Sequence, residues 1–164
     1  MSITPVTLTF APIRLMDKPW MDEALNRGHR GSLEYNFTAN FIWSEVYKLS
    51  AARFEDRLVV KSEADPDGPT FIFPSGEGPV GGVVRALAEY TQARGVPLVF
   101  NTLLNEDREK LEAEFPGKFR VEADRKDFDY VYEAQKLISL SGKKLSSKRN
   151  HVNRFMQDNR EWSY

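Results

Sequence analysis

The residues best suited to chemistry lie near the C-terminal end of the chain, in a short basic segment. Its candidate ligand-binding side chains are Lys144, Lys148, Arg149, Asn150, His151 and Asn153. Ammonium, guanidinium and imidazolium groups attract phosphates and carboxylates, and side-chain amides add neutral hydrogen bonds. The segment therefore predicts a site for an anionic, phosphate-bearing ligand. The pattern singles out no catalytic residue.

The spacing within this segment predicts a helix with two neighbouring faces. At about 100° per residue, Leu145, Val152 and Met156 fall within about 40° of one another, which predicts a seam that docks on another surface. The adjoining face carries Ser147, Lys144, Lys148, His151 and Arg154. A solvated basic helix face is the alternative interpretation, because runs of charge usually lie in water.

Charge is unevenly distributed along the chain. The 164 residues carry a formal net charge of −1, but residues 136–164 hold 7 Lys and Arg against 2 Asp and Glu, a balance of +5. Residues 1–135 hold the other 16 basic and 22 acidic side chains, a balance of −6. Such an asymmetry attracts an anionic partner to one end. It also predicts two regions, an α/β domain over residues 1–135 and a basic helical segment over residues 136–164.

A second motif is glycine-rich. Residues 76–81 read G-E-G-P-V-G, which spells the G-x-G-x-x-G of dinucleotide-binding folds. In that fold the motif follows the first strand of a parallel sheet and an acid ends the next strand, whereas here a predicted hairpin precedes it and Phe100-Asn101 ends the next strand. A tight turn that needs small residues is the preferred interpretation, and a pyrophosphate at the N-terminus of the following helix is the alternative.

Other kinds of site have no support in the sequence. The chain has no Cys, so disulfides, thiolate metal sites and a cysteine nucleophile are excluded. His29 and His151 lie far apart and no acidic pattern joins them, so no metal site is expected. No nucleophile elbow is present. Since a signal sequence and a long apolar run are also missing, a cytoplasmic protein without an integral membrane segment is expected.

The elements that must position these residues predict an α/β fold. Predicted strands are Val6–Phe10, Val46–Phe54, Arg57–Lys61, Thr70–Phe73, Val96–Phe100, Phe119–Ala123 and Phe128–Tyr132, the second and third forming a hairpin. Predicted helices begin at Asp17, Phe37, Pro79 and Asn105, and end near Gly28, Trp43, Gly95 and Pro116. This order predicts a mixed, mainly antiparallel sheet flanked by helices and followed by the basic helix.

Three blocks of sequence carry a resemblance to a known family. They are E-Y-N-F-T-A-N-F-I-W at residues 34–43 with Tyr47, F-P at residues 73–74 with the glycine-rich turn and its helix, and D-Y-V-Y, L-S-G-K-K and K-R-N-H-V-N-R-F within residues 129–155. Here the chain resembles uncharacterised bacterial proteins related to the C-terminal domain of phosphatidylglycerol lysyltransferases. Those proteins have two fused halves of the Gcn5-related N-acetyltransferase-like type. The basic helix is also similar to one in Fem-type peptidoglycan aminoacyltransferases, which precedes a strand.

The resemblance implies a fold and a class of activity. The chain would be the N-terminal half of an acyl- or aminoacyltransferase-like protein, with Trp162–Tyr164 beginning the first strand of a second half that is absent here. The co-substrate would be aminoacyl-tRNA or acyl-CoA, no cofactor is identified, and catalysis would rest on positioning and oxyanion stabilisation. The expected partner is a second N-acetyltransferase-like half or a second copy of the chain, and not DNA.

An alternative from a different class stays open. The domain could be a non-catalytic binding or interaction module whose basic helix binds anionic lipid or a protein partner. The transferred group, the acceptor and the general base are not identified by the sequence.

Overall fold

The fold consists of two compact units. A computed structural model of the chain describes residues 8–27, 31–123, 125, 128 and 130–163. Unit 1 spans Met1–Val121 and unit 2 spans Glu122–Tyr164. The two units meet between residues 121 and 122, earlier in the chain than the boundary between residues 135 and 136 that the charge pattern predicts. The functional roles of the two predicted regions stay predictions.

Unit 1 contains a five-stranded sheet with the spatial order β1-β2-β3-β4-β5. The strands are β1 (Ala11–Pro12), β2 (Leu49–Phe54), β3 (Arg57–Ser62), β4 (Thr70–Ile72) and β5 (Val99–Thr102). Neighbours are antiparallel except β4 and β5, which are parallel. The predicted hairpin is therefore confirmed, with Glu55 in its turn at a φ of 52°. The predicted α/β class with a mixed, mainly antiparallel sheet is also confirmed.

Helices cover both faces of this sheet because successive strand side chains point to opposite sides. Leu58 and Val60 of β3 belong to one apolar cluster, shared with α1 (Lys18–Arg27) and α2 (Phe37–Ile42). Val59, between them, belongs to the other cluster, shared with α3 (Gly81–Gln92) and α4 (Asn105–Glu114). Helix α3 forms as its apolar spacing predicts, with Val83, Val84 and Leu87 buried on one face.

Several element boundaries differ from the sequence prediction, among them the start of β2, which is Leu49 rather than Val46. The first strand is Ala11–Pro12, while Leu8–Phe10 form no strand and residues 6 and 7 lie outside the described part. Phe10 instead packs its ring on Phe71 and Tyr90, so it contributes to the core although it is not paired in a strand. Strand β5 starts at Val99 rather than Val96. The N-cap residue of α4 is Leu104 and not Asn105, which is the first residue of the helix. The Asp107 carboxylate accepts a hydrogen bond from the Leu104 N–H.

Two predicted strands near the end of unit 1 and the start of unit 2 are wrong. The described residues of 119–123 and 128–132 have no strand pairing. Phe119 packs on Phe100 and Phe115 as part of the core, which accounts for its apolar character. Tyr130 is 88% exposed and Val131 is 91% exposed, so no buried face is available to organise a strand there. The described part of unit 2 is helical instead.

Candidate functional site

The predicted basic helix exists in unit 2. It is α6 (Ser146–Asp158), which follows α5 (Ala134–Ser139) and a 3₁₀ turn at Lys143–Leu145. Gly142, in the link between the two helices, has a φ of 87°, a backbone conformation that favours glycine. The Ser146 hydroxyl donates to the Lys143 carbonyl at 2.8 Å and joins the 3₁₀ turn to α6.

Helix α6 separates the candidate residues into two groups. Lys148 and His151 are three residues apart and share one face of α6. Lys144 lies in the 3₁₀ turn that leads directly into this helix. On a helix of about 100° per residue, the remaining candidates lie at least about 100° from Lys148 and from His151. These are Arg149, Asn150 and Asn153. We call Lys144, Lys148 and His151 the cationic face; the ligand-binding role of all six residues stays a prediction.

Arg149 has a structural contact in addition to its charge. Its guanidinium donates a hydrogen bond to the carbonyl of Leu140, nine residues earlier, and the side chain is half-buried. Leu140 follows the last turn of α5 with a φ of 47°, a left-handed position typical of helix ends. Arg149 therefore ties the start of α6 to the end of α5, and only its other N–H groups remain for a ligand.

The electrostatic surroundings of the cationic face are strongly positive. Residues 134–157 contain six Lys and Arg and no Asp or Glu. Within the described part of the chain, Lys144, Lys148 and His151 are exposed and form no ion pair, whereas Arg154 approaches Asp158 at 3.7 Å. The unneutralised, hydrated ammonium groups of Lys144 and Lys148 can attract an anion over a distance of about a Debye length, roughly 8–10 Å.

The predicted apolar seam lies beside this face and is only partly covered. Leu145 is half-buried, while Val152 and Met156 are exposed. Trp162 folds back on the helix, with its ring 5.8 Å from that of Phe155 and its indole N–H 2.8 Å from the Met156 sulfur. The prediction that Trp162 and Ser163 form a strand is therefore wrong; Tyr164 lies outside the described residues.

The glycine-rich turn is organised by two side chains of unit 1. The buried guanidinium of Arg57 donates to the carbonyls of Gly76, Glu77, Gly78 and Pro79. On the other side of the turn, the Glu114 carboxylate accepts from the Val80 N–H at 2.7 Å, just before α3 begins. A carboxylate of the chain thus occupies the place where a pyrophosphate would sit in a dinucleotide-binding turn.

These contacts support the tight-turn interpretation of residues 76–81. A Cβ on Gly76, whose φ is 124°, would lie 3.0 Å from Arg57 Cγ, and one on Gly81 would lie 2.2 Å from Glu114 Oε2. The glycines therefore make room for Arg57 and Glu114. Sequence reasoning missed both side chains, because each lies about 20 or more residues from the glycine it contacts and no local signal joins them.

Two further observations concern other kinds of site. Among the described residues no cluster of three or more His, Cys, Asp or Glu side chains could hold a metal ion, and His29 lies outside that part of the chain. No helix in the described ranges is both long and apolar enough to cross a membrane.

The comparisons with known proteins place the chain in a family. Residues 26–164 match the profile of the family described as phosphatidylglycerol lysyltransferase, C-terminal. The chain belongs to this family. The match includes strands β2 to β5 and helices α2 to α6, so it extends over both units. A search of curated proteins found no match.

A crystal structure of a similar protein shows the same fold. It is a conserved protein of unknown function from Bacteroides thetaiotaomicron VPI-5482, which is 29% identical to this chain with a TM-score of 0.83. The similarity covers 93% of this chain but only 51% of that one. The chain thus spans about half the length of this relative.

Proposed function

We propose that the chain is part of an acyl- or aminoacyltransferase-like protein and that the cationic face of α6 contributes to binding a phosphate-bearing donor. Membership of the lysyltransferase C-terminal family supports the class of activity. The observation that carries the donor site is the absence of any ion pair at Lys144, Lys148 and His151 among the described residues. The donor is aminoacyl-tRNA or acyl-CoA in this proposal, and the protein acts in the cytoplasm.

The chemistry of such a donor suits the geometry of α6. A polyanion is bound by several separate charge-assisted contacts, so it does not need a deep cavity. Lys148 and His151 lie about one helical turn apart, roughly 5 Å along the axis, and can contact neighbouring phosphate oxygens. Because the chain spans only about half of its relative, we assign this unit to donor attraction and positioning and leave proton transfer to other parts of the protein.

The test measures donor binding by isothermal titration calorimetry with coenzyme A and by fluorescence anisotropy with tRNA. Lys144→Ala combined with Lys148→Ala should weaken the Kd by about 10-fold or more, since each charge-assisted contact contributes about 1–3 kcal/mol. Lys136→Ala is the matched control, because Lys136 already pairs with Glu133 at 2.9 Å. Equal affinity of the double variant and the wild type for both ligands would refute the proposal.

A second candidate function is an interaction module, which the burial pattern of unit 2 supports. No described residue of unit 2 is buried, and a 13-residue helix alone is marginal in water. We therefore infer that the seam of Val152 and Met156 is covered by a further N-acetyltransferase-like domain or by a second copy of the chain. If the partner is a second copy, sedimentation should show a dimer that persists at high salt and is lost in Val152→Asp. If the protein stays monomeric at high concentration, a second copy is excluded and the further domain is the partner that covers the seam.

A further inference from the structure

The link between α5 and α6 carries one of the three residues of the cationic face. Lys148 and His151 lie within α6, so the helix itself fixes their backbone positions. Lys144 precedes the helix, in the 3₁₀ turn at Lys143–Leu145. Its position relative to the other two residues therefore depends on the contacts that hold this turn against the start of α6.

Short-range hydrogen bonds shape the 3₁₀ turn itself. The Leu145 N–H donates to the Gly142 carbonyl at 3.3 Å, and the Ser146 hydroxyl donates to the Lys143 carbonyl at 2.8 Å. Each of these contacts spans only three residues. They lie at the end of a helix, where hydrogen bonds open most easily, so they do not by themselves hold the turn in one place.

Arg149 supplies a contact of longer range. Its guanidinium donates to the carbonyl of Leu140, nine residues earlier in the chain. This hydrogen bond closes a loop that contains the whole 3₁₀ turn, because Arg149 lies in the first turns of α6 and Leu140 lies just after α5. The turn cannot move away from α6 while both of its ends are joined in this way.

Burial within unit 2 is confined to this same place. In its described part every residue is exposed except four, which are half-buried: Leu140, Leu145, Ser146 and Arg149. The four are the two partners of the long-range hydrogen bond and the two residues where the 3₁₀ turn joins α6. The best-packed part of unit 2 is therefore the junction that Arg149 helps to form, and not the exposed remainder of α6.

The acceptor of this hydrogen bond has an unusual backbone conformation. Leu140 has a φ of 47° and a ψ of 32°, in the left-handed region that Gly and Asn adopt more readily than β-branched residues. Its own N–H donates to the Lys136 carbonyl at 3.0 Å, at the end of α5. The backbone at residue 140 therefore sets the place of the carbonyl that Arg149 contacts, and a substitution there can move it without a change of charge.

We propose that Arg149 is a positioning residue for Lys144: it holds the link closed against α6, so that Lys144 and Lys148 can bind phosphates of one donor. This role rests on the proposed function of the cationic face. It differs from a direct contact between Arg149 and the donor, because the guanidinium acts on the ligand through the backbone that carries Lys144. Loss of Arg149 and loss of Lys144 should therefore have the same effect.

Hydrogen exchange without any ligand tests whether the contact holds the link. Arg149→Ala removes the donor, and Leu140→Val places a β-branched residue at a φ of 47° and so displaces the acceptor. Each should speed exchange at the amides of Leu145 and Ser146 by about 5-fold or more. Leu140→Asn is the matched control, since Asn is uncharged, tolerates the left-handed conformation and should leave exchange unchanged. Wild-type exchange rates in both Arg149→Ala and Leu140→Val would overturn the proposal.

Titrations with tRNA and with coenzyme A test whether the contact positions Lys144. Lys144→Ala should weaken the Kd by about 5-fold or more, and for tRNA it should lower the salt slope by about 1, as for one lost phosphate contact. Arg149→Ala should do the same, and so should Leu140→Val, although it removes no charge. Lys144→Ala combined with either should cause no further loss, and Leu140→Asn should bind as the wild type does.

The outcomes separate this proposal from the proposed function. If the salt slope for tRNA falls by about 2 in Lys144→Ala/Arg149→Ala, Arg149 is an independent contact and its positioning role is overturned. Wild-type affinity in Leu140→Val would overturn it as well, and in both cases the proposed function would stand. If the wild type binds neither ligand, or if Lys144→Ala/Lys148→Ala binds both as the wild type does, the proposed function fails and the positioning of Lys144 fails with it, whatever hydrogen exchange shows.

Discussion

Arg57 offers the sharpest test of how the glycine-rich turn is built. The residue is 6% exposed, and its guanidinium donates to four successive carbonyls: that of Glu77, and those of Gly76, Gly78 and Pro79 at 3.3, 2.6 and 3.0 Å. Arg57→Met keeps an unbranched apolar stem and removes every donor. We expect the turn to lose its fixed conformation, because no other described side chain donates to these carbonyls.

The size of the effect follows from the number and exposure of these contacts. A hydrogen bond to a charged group contributes about 1.5–3 kcal/mol, but water can replace part of this where the carbonyl belongs to an exposed residue. Glu77, Gly78 and Pro79 are exposed and Gly76 is buried, so we expect a loss of about 2–4 kcal/mol in the free energy of unfolding. For a unit of about this size the loss corresponds to a fall in Tm of about 10 °C.

Urea unfolding followed by far-UV circular dichroism measures this loss, and hydrogen exchange at the amides of residues 76–81 localises it. Arg53→Met is the matched control on the same hairpin. Its guanidinium is exposed and lies 5.4 Å from the Trp20 ring, so the expected cost is below about 1 kcal/mol. If Arg57→Met and Arg53→Met destabilise the protein equally, the turn does not depend on Arg57 and the reasoning fails.

Two further predictions concern buried contacts of unit 1. Asn40→Leu removes an amide that donates to the carbonyls of Glu34 and Asn36 at 2.7 and 2.9 Å, so urea unfolding should show a loss of about 1–3 kcal/mol; an unchanged midpoint would contradict this. Gly81→Ala should displace the Glu114 carboxylate and cost about 0.5–2 kcal/mol, as for a lost N-cap. Combined with Glu114→Ala the two losses should be less than additive, and full additivity in thermal unfolding would show that they are unrelated.

Local sequence signals were sufficient for the parts of the fold that local rules control. The hairpin of β2 and β3 follows from two strand-like runs separated by Glu55-Asp56, and α3 follows from apolar residues at helical spacing after Pro79. In these elements the periodicity and the turn chemistry agree. The described residues of 119–123 and 128–132 form no strand, because an apolar run does not by itself provide a partner for strand pairing. Phe119 fills the core from an irregular segment instead.

Contacts between distant residues could not be predicted in the same way. Lys61 is almost completely buried, yet its ammonium pairs with Glu63 at 2.9 Å, donates a hydrogen bond to the Tyr90 hydroxyl at 3.1 Å and lies 4.8 Å from the Phe10 ring. A lysine on a strand is expected in water, and nothing in the local sequence indicates that three separate segments meet around it. Arg57 belongs to the same class of tertiary contact. The split of the basic residues on α6, by contrast, follows from the period of the helix.

That split decides which kind of ligand α6 can bind. A single small anion would require Lys148 and Arg149 to converge, but they lie about 100° apart and Arg149 is already engaged with Leu140. A longer polyanion can follow the cationic face of Lys144, Lys148 and His151 without Arg149. Salt dependence therefore distinguishes the two cases, because a polyanion that makes several contacts loses affinity steeply as salt increases, whereas one phosphate on one lysine does not. A steep dependence for tRNA that is abolished in the lysine double variant and preserved in Asn153→Ala would assign the binding to that face alone.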